Sequence, residues 1–401
     1  MNHLKIISLN QLFLALTLLL WSLGQFQRIQ LSNISFYLHD LVILFWLVIT
    51  LFKSPGFFKD LTKLLKGKII YLGVVVIAIS LGFVFNPPSI DQLLTPIMYL
   101  SRISLYLLMG VLSYWQLKNQ KKTFISDTYF QETLYLSAVM VLSLGFSQYL
   151  FFPDTRFLAI FGWDDHYYRL IYPFFDPAFT GQILVLLSIA FYPLISKEKR
   201  FFGLSFFLSL AIALTFSRST YLSFIVSQLL LALMNFSKKN LNYLLITLLS
   251  FTLTIFVAQI PAGEGTKLTR TNSIVARSEN IKENLLSDSK TDLLFGTGLF
   301  SFNNQPKKNL LAQEVVNHAR VPDNIFVQFY SQTGLVGLII FSFLVVKMSF
   351  YFFKTNKLLL IMLISLLVHS QFNATIFQPF VLLITSILMG WLIIRKNKVT
   401  V

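Results

Sequence analysis

An arginine stands between two long apolar runs in the stretch FSRSTYLSF, residues 216–224. Arg218 therefore places a permanent positive charge at the tip of a tight turn in a very hydrophobic part of the chain. A guanidinium near the end of a membrane helix commonly extends into lipid headgroups, which is the simpler interpretation. The same group is a planar donor that binds phosphate through paired hydrogen bonds, so Arg218 is a candidate ligand for a phosphorylated molecule.

Two more arginines are candidates for the same pocket. Arg277 lies in VARSENIKENLL and Arg169 precedes PFFDPAF in a polar stretch. If the three face one side of a membrane, they form a cationic pocket that fits a pyrophosphate on a lipid. Arginines can stabilise the growing charge of a leaving diphosphate without a metal, so we predict no metal and no cofactor.

Transfer of a group from such a diphosphate also requires an acceptor hydroxyl that is oriented or deprotonated. Asp323 is one candidate base, because it lies just before an apolar helix. Its charge would also favour the helix N-terminus, and the alternative is that Asp323 only caps this helix after Pro322. His318 is the rival base, and its alternative is a solvated loop histidine.

The stretch GWDDHYY, residues 162–168, is a candidate sugar-binding segment. Trp163 and Tyr167, with the neighbouring Tyr168, offer flat faces, and Asp164 and His166 offer polar partners. Aromatic residues are also routine at membrane interfaces, so a simple interfacial belt is the competing interpretation. A metal site is disfavoured because Asp164, Asp165 and His166 are adjacent rather than spaced to converge.

Hydrophobic runs must position these residues. The chain has 401 residues, of which 55% are hydrophobic and only 12% are charged. Apolar stretches of about 17–22 residues recur along nearly its whole length, which is the range that spans a bilayer as helix. The runs do not alternate like barrel strands, and backbone groups in lipid must be satisfied within a helix or a closed barrel. We therefore predict an all-α integral membrane protein, a single polytopic domain over residues 1–401.

About twelve membrane spans are expected from these runs. They are 6–23, 34–52, 69–86, 96–115, 133–152, 177–195, 202–216, 221–235, 241–260, 323–346, 358–370 and 379–394. With the N-terminus inside, the cytoplasmic segments hold twenty Lys and Arg residues, and the opposite side holds only five outside one long loop. This bias predicts that both termini are cytoplasmic. It also accounts for most of the net charge of +16, so nucleic-acid binding is not expected.

The long loop, residues 261–322, precedes the third-last helix and is expected outside the cytoplasm. Structureless loops of this length are uncommon unless they bind or cover something. Ile274, Ile281 and Leu285 share one helical face, which predicts a short amphipathic helix that begins after a cap at residue 272 or 273 and carries Arg277. In the stretch LLFGTGLFSF that follows, the two glycines favour a loop turn over close approach to a ligand.

Two charges fall inside predicted spans. Asp40 lies on the second span and Arg102 on the fourth. Ionisable residues within a membrane usually have partners and often have a function. An ion pair that joins the two helices is the structural explanation, and a shared external cavity is the functional one.

Four stretches in this order and on this topology resemble the O-antigen ligase and polysaccharide polymerase superfamily. They are RLIYPFFDPAFTGQIL at 169–184, FSRSTYLSF at 216–224, VARSENIKENLL to LLFGTGLFSF at 275–302 and HARVPDNIFVQFYSQTGLVGLIIF at 318–341. Members of this superfamily act on undecaprenyl-diphosphate-linked glycans at the outer leaflet. The likeness covers mainly residues 160–345.

The resemblance implies that Arg218 and Arg277 are diphosphate ligands. It also matches an arginine and Asp-Pro element to Arg169 and Asp176. Where ligases tend to have a His-Asn pair at the start of the helix after the loop, this chain has an Asp323–Asn324 pair. That difference leaves the general base open and favours a polymerase over a ligase.

The resemblance implies a membrane glycosyltransferase of the cytoplasmic membrane. As a polymerase it joins lipid-diphosphate-linked repeat units into capsular, exo- or O-antigen polysaccharide at the outer face. The expected partners are undecaprenyl-diphosphate-linked oligosaccharide, membrane lipid, and a chain-length regulator and flippase of the same pathway. The alternatives are a ligase that transfers glycan to another acceptor, and a flippase or transporter. Transporters tend to have related halves and broken helices in mid-membrane, whereas the polar features here cluster at one face.

Overall fold

The computed structural model describes residues 8–31, 34–66, 69–195, 198–234, 238–258, 264–268, 271–285, 290–300 and 322–399. Within these ranges the chain is mainly helical, in agreement with the predicted class. The α-helices are α1 (Leu9–Ser22), α2 (Leu38–Lys53), α3 (Pro55–Leu65), α4 (Ile69–Phe85), α5 (Ile90–Lys118), α6 (Gln120–Thr123), α7 (Asp127–Phe151), α8 (Pro177–Phe191), α9 (Lys199–Leu214), α10 (Arg218–Met234), α11 (Lys238–Val257), α12 (Asn272–Leu285), α13 (Lys290–Phe295), α14 (Ile325–Thr355), α15 (Lys357–His369) and α16 (Pro379–Val399).

A two-stranded hairpin interrupts the helical pattern near the N-terminus. Strands β1 (Arg28–Leu31) and β2 (Ile34–Tyr37) pair antiparallel, with Arg28 opposite Tyr37. The predicted span 34–52 therefore begins too early, because its first residues form β2 and α2 starts at Leu38. An apolar run does not by itself separate a short strand from the first turn of a helix.

Four helical segments in the described residues are long and apolar enough to cross a membrane: Leu93–Lys118, Asp127–Phe151, Pro177–Leu194 and Ile325–Thr355. The pair Leu38–Lys53 and Pro55–Lys63, bent by 100°, would be a fifth if it is one span. Several other apolar helices have only 10–17 residues. The class of helical membrane protein is supported, whereas a count of twelve spans is not confirmed.

Helix α8 is the centre of the bundle. Nearly all of its side chains are buried, and it contacts α9, α10, α15 and α16. Polar side chains join α8 to α10 and α15. Gln182 Nε2 on α8 donates to Ser365 Oγ on α15 over 2.9 Å, and Ser223 Oγ on α10 donates to Gln182 Oε1 over 2.8 Å. Hydrogen bonds of this kind hold helices together where lipid removes the hydrophobic driving force.

Helix α14 extends beyond its predicted span of 323–346 and is broken near its start. Gly334 has a φ of 65° and non-helical geometry inside the helix. The break frees the carbonyls of Ser331 and Gln332, which accept hydrogen bonds from the backbone N–H groups of Thr297 and Gly298. A broken helix is tolerated in a membrane when its freed groups find such partners.

The Gly-x-Gly stretch of the long loop makes this contact possible. A Cβ on Gly296 would lie 2.3 Å from backbone atoms of Gln332 and Thr333, and one on Gly334 would lie 2.2 Å from the backbone of Leu294. Both glycines have positive φ. They let the segment after α13 lie directly against α14, which is a packing role rather than contact with a ligand.

Asp40 and Arg102 form an ion pair between α2 and α5. Arg102 Nε donates to Asp40 Oδ2 over 3.2 Å, and Tyr106 Oη donates to Asp40 Oδ1 over 2.6 Å. Arg102 Nη2 also donates to the carbonyl oxygen of Ser35 on β2 over 2.6 Å. The pair therefore joins the hairpin to two helices, which supports the structural explanation of these charges.

Candidate active site at the end of helices α10 and α14

Arg218 is the first residue of α10, directly after a turn that is held by side-chain hydrogen bonds. Ser217 Oγ accepts from Thr220 Oγ1 over 3.0 Å, and the Ser217 carbonyl accepts from the Tyr221 backbone N–H over 2.9 Å. Serine suits this position because its oxygen satisfies groups that the first helical turn leaves unpaired. The Arg218 side chain is half-buried, and its Nη1 donates to the carbonyl of Leu268 over 3.4 Å.

Arg169 holds the turn that precedes Arg218. The Arg169 side chain is buried, its Nε donates to the carbonyl of Thr215 over 2.9 Å, and its Nη2 donates to that of Phe216 over 3.3 Å. These carbonyls lie just past the end of α9. Arg169 therefore stabilises the backbone that presents Arg218.

Helix α12 places Arg277 beside the start of α14. The helix occupies the stretch for which an amphipathic helix was predicted, although Asn272 is already helical, and the Thr271 carbonyl accepts from Val275 N–H over 3.1 Å. Arg277 is half-buried on the side of α12 that also carries Ile281. Arg277 Nε lies 3.5 Å from Asp323 Oδ2, which forms an ion pair between the long loop and the bundle.

Asn324, rather than Asp323, caps α14. Asn324 Oδ1 accepts from the backbone N–H groups of Phe326 and Val327 over 2.9 and 3.3 Å. Its Nδ2 donates to Gln371 Oε1 over 3.0 Å, which ties the start of α14 to the segment after α15. The interpretation of Asp323 as the helix cap is therefore wrong. Its carboxylate is directed to Arg277 instead.

One cavity of about 590 Å³ collects the main candidates. Its polar and charged lining comes from α10, from α12, from the start of α14 and from the segment after α15, while leucine, isoleucine and phenylalanine side chains supply apolar wall. The lining residues are Arg218, Ser219, Leu222, Arg277, Ser278, Ile281, Asp323, Asn324, Gln371 and Phe372. The cavity thus combines two guanidiniums, one carboxylate and an apolar surface.

The charge of Arg277 acts on Arg218. Arg218 lies at the start of α10, ahead of its apolar stretch, and burial together with the charge of Arg277 lowers the pKa of the Arg218 guanidinium. Asp323 offsets one of these two charges through its ion pair with Arg277, so the described charged groups of the lining keep a net positive charge. This excess of positive charge favours an anionic ligand.

A buried histidine supports the wall of the cavity. His369, at the end of α15, has no exposed surface, and its Nε2 is 3.2 Å from Ser219 Oγ while its Nδ1 is 2.5 Å from Thr375 Oγ1. Asn373 connects this group to the cavity: its Nδ2 donates to Ser219 Oγ over 2.9 Å, and its Oδ1 accepts from Arg277 Nη2 over 3.5 Å. Through these hydrogen bonds, the buried His369 and Ser219 help to hold the Arg277 side chain in place by way of Asn373.

The segment between α7 and α8 holds the remaining candidates. Trp163 lies under the guanidinium of Arg28, 5.4 Å from its ring centroid, and packs edge-on against Phe175. Tyr167 lies under Arg156 at 4.9 Å, and the His166 carbonyl accepts from Thr155 Oγ1 over 2.9 Å. These contacts form an aromatic and cationic surface, and it shares no described lining residue with the cavity.

Asp176 acts as the N-cap of α8. Its Oδ1 accepts from the backbone N–H groups of Ala178 and Phe179, each over 2.7 Å. Burial raises the pKa of the Asp176 carboxyl, and nearby Asp164 adds to this, while the two backbone hydrogen bonds act in the opposite direction. The carboxylate is engaged with its own helix and positions the start of α8.

The structure thus brings together Arg218, Arg277, Asp323 and Asn324. It places Arg169, Asp176 and the aromatic group of Trp163, Asp164, His166 and Tyr167 outside the cavity lining, and His318 lies outside the described residues. Sequence reasoning did not single out His369, Gln371 or Asn373. Their only signal was a polar run, VHSQFN, at the end of an apolar helix, which is also typical of an ordinary connection.

Residues 203–342 match the protein-family model described as O-Antigen ligase. The matched range contains α10, α12 and the start of α14, and therefore all of the cavity's charged residues. The match confirms the resemblance to the O-antigen ligase and polymerase superfamily, and it supports a function of that general type. A comparison with curated proteins found no match.

Proposed function

We propose that this protein is a membrane glycosyltransferase that polymerises lipid-diphosphate-linked oligosaccharide repeat units at the outer face of the cytoplasmic membrane. The observation that carries the proposal is that Arg218, Arg277 and Asp323 line one cavity with an apolar wall. A lipid diphosphate has the same combination of parts: two phosphates that carry negative charge, and a long hydrocarbon chain. The guanidiniums can bind the phosphates, and Leu222, Ile281 and Phe372 can pack against the hydrocarbon chain.

In the proposed reaction, an acceptor sugar hydroxyl attacks the anomeric carbon of the donor sugar. The new bond joins that carbon to the acceptor oxygen, and the bond from the same carbon to the phosphate oxygen breaks. The electron pair of the broken bond remains on the lipid diphosphate. Arg218 and Arg277 stabilise this growing charge, because fixed donors aimed at the place where charge develops lower the barrier to the reaction.

In this scheme Asp323 is the base that removes the proton of the acceptor hydroxyl. Its ionised carboxylate accepts the hydrogen bond of the acceptor hydroxyl and takes its proton as the glycosidic bond forms. Arg277, 3.5 Å away, holds the carboxylate at the edge of the cavity. Asn324 contributes by fixing the start of α14, so that the residue before it keeps its position. His318 remains the alternative base.

A ligase that transfers finished glycan to another acceptor is the second candidate. It is favoured by the description of the matching family model, O-Antigen ligase. The chemistry at the donor is the same in both cases, and the difference lies in the acceptor. The Asp323–Asn324 pair, in place of the His-Asn pair of ligases, supports the polymerase.

The deciding experiment is to measure the length and attachment of lipid-linked glycan, by gel and mass spectrometry, in host cells that lack the protein. A polymerase predicts single repeat units that accumulate on the outer leaflet. Long polymer left on its lipid carrier would instead identify a ligase. Single units trapped on the inner leaflet would identify a flippase and would contradict the proposal.

A further inference from the structure

A second cavity lies at the opposite end of the bundle from the first. Helix α10 contributes to both cavities, since Arg218 at its start lines the first and Met234 at its end lines the second. The residues just before α14 and just after α15 line the first cavity, whereas the end of α14 and the start of α15 line the second. Its volume is about 340 Å³. It is lined by Pro193, Met234, Phe353, Lys354, Thr355, Asn356, Lys357, Leu358, Leu392 and Arg395.

The cavity contains a buried guanidinium with an unused donor. Only 9% of Arg395 is exposed, and its Nη1 has no hydrogen-bond partner among the described residues. The guanidinium lies over the ring of Trp391, 5.3 Å from its centroid, which fixes its orientation. A buried cation with an unpaired N–H is costly unless it has an anionic partner, so this arrangement points to a ligand.

The carboxylate that acts electrostatically on Arg395 is engaged elsewhere. Asp127 interacts electrostatically with Arg395, but its Oδ1 accepts from Trp391 Nε1 over 2.7 Å and its Oδ2 accepts from Gln131 Nε2 over 2.8 Å. No ion pair between Asp127 and Arg395 occurs within 4.0 Å in the described part of the chain. The carboxylate thus orients the tryptophan and leaves Arg395 Nη1 available.

The uncharged polar groups of the wall are also satisfied from within. Thr355 Oγ1 donates to the carbonyl of Tyr351 over 2.6 Å. Asn356 Oδ1 accepts from the backbone N–H groups of Leu358 and Leu359, and its Nδ2 donates to the carbonyl of Leu392. Besides Arg395, the charged groups of the lining are Lys354 and Lys357, both exposed. The cavity therefore offers three positive charges to a ligand.

The remaining wall is apolar, with Met234, Phe353, Leu358 and Leu392 beside the cations. A free inorganic anion would use the charges and leave this apolar surface exposed to water. A phospholipid uses both, since its phosphate reaches the cations while the first carbons of its acyl chains cover the apolar wall. We propose that this cavity binds the phosphate headgroup of an anionic membrane lipid, with Arg395 as the buried ligand and the two lysines at the rim.

The test uses the purified full-length protein in detergent and two phospholipids with the same acyl chains, phosphatidylglycerol and phosphatidylcholine. Binding is measured by native mass spectrometry and by the shift in thermal unfolding temperature. We expect phosphatidylglycerol to bind more tightly, and Arg395→Gln to weaken its binding about tenfold, because charge-assisted hydrogen bonds are lost. The matched control is Lys53→Gln, an exposed cation at the end of α2 and outside the cavity lining, which should leave the affinity unchanged.

A second variant keeps the test decisive if Arg395→Gln does not fold. Lys357→Gln changes an exposed residue and should weaken phosphatidylglycerol binding severalfold while the protein remains folded. Equal binding of the two lipids, or unchanged affinity in both variants, would overturn the proposal. Inorganic phosphate provides the third arm: displacement of the lipid by phosphate at comparable concentration would mean that the site takes a soluble anion, and the lipid assignment would be wrong.

Discussion

The Nε atom of Arg277 lies 3.5 Å from Oδ2 of Asp323, so the ligand proposed for the diphosphate and the base proposed for the acceptor form one ion pair. The pair joins α12, part of the long loop, to the residue before the cap of α14. Residues that act as a unit have strongly non-additive effects on catalysis. The double variant Arg277→Ala/Asp323→Ala should therefore lose little more activity than the worse single variant.

Loss of either cavity arginine should abolish most of the product. For Arg218→Ala and Arg277→Ala we expect the rate of glycan transfer to fall about a hundredfold or more, because a donor to the developing charge is removed. The measurement is the rate with a purified lipid-diphosphate-linked repeat unit. Arg200→Ala is the matched control, since this arginine pairs with Glu132 and lies outside the cavity lining. Normal rates in both cavity variants would exclude the proposed diphosphate site.

Asp323→Asn separates the base from the helix cap. The substitution keeps the size of the side chain and leaves the Asn324 cap in place, so we expect unchanged thermal stability and a rate that falls about 10²–10⁴-fold. Asn324→Ala should show a different pattern, with stability reduced by about 1 kcal/mol through loss of the cap. An unchanged rate in Asp323→Asn would show that Asp323 is not the base and would favour His318 in that role.

Asn373 should affect donor binding more than chemistry. Its amide lies between Ser219 and Arg277, so Asn373→Ala removes a support of the guanidinium without removing its charge. We expect KM for the lipid-linked donor to rise roughly fivefold, the effect of one lost hydrogen bond, with a smaller change in kcat. Asn284→Ala is the control, because the Asn284 amide contacts Asn280 within α12. A purely structural role for Asn373 would lower stability and leave KM as it is.

Gly296→Ala should damage the fold at the broken helix. A Cβ at this position would lie 2.3 Å from the backbone of α14, and the φ of 73° is unfavourable for alanine. We expect the free energy of unfolding to fall by at least about 1–3 kcal/mol, which is the usual cost of a residue forced into such a conformation. Thermal unfolding in detergent measures it. Gly203→Ala is the control, since this glycine is helical and nothing lies within 4 Å of the position that its Cβ would take; it should be neutral or slightly stabilising.

Asp40→Asn should destabilise the protein by about 3–5 kcal/mol, because it leaves the largely buried Arg102 without its counter-charge. Adding Arg102→Met to the variant removes both charges and should restore part of the loss. Chemical unfolding in detergent provides the comparison. Asp154→Asn, which breaks an exposed ion pair, should leave stability unchanged. A mild effect of Asp40→Asn would mean that the pair does not hold α2 to α5.

Much of the site could be predicted from the order of residues alone. The apolar runs are long enough to require helices, because backbone groups in lipid must be bonded within the segment. Arg218 is recognisable because it is a single charge between two such runs. The spacing of apolar residues around Arg277 is sufficient to predict an amphipathic helix there. Asp323 is a candidate because it precedes an apolar stretch. Local chemistry is sufficient for all three.

Other features depend on contacts between distant parts of the chain. Asp323 and Asn324 are neighbours, and either could cap α14. In the structure Asn324 is the cap, and its Nδ2 also donates to Gln371 Oε1 in a distant part of the chain. The break at Gly334 requires the backbone of the Gly-x-Gly segment beside it. Arg169 resembles a ligand in sequence, and only its contact with the carbonyls after α9 shows that it holds the turn.

The sequence by itself determined the class of the protein, its apolar helices and the positions of the arginines that we propose as diphosphate ligands, because composition, local periodicity and residue type are read directly from the chain. The tertiary structure decided which of those side chains meet. Arg218, Arg277 and Asp323 lie on three separate elements, and Arg395 becomes a buried cation only where α14, α15 and α16 converge. Convergence of this kind arises from packing between residues far apart in the chain, and no local pattern encodes it.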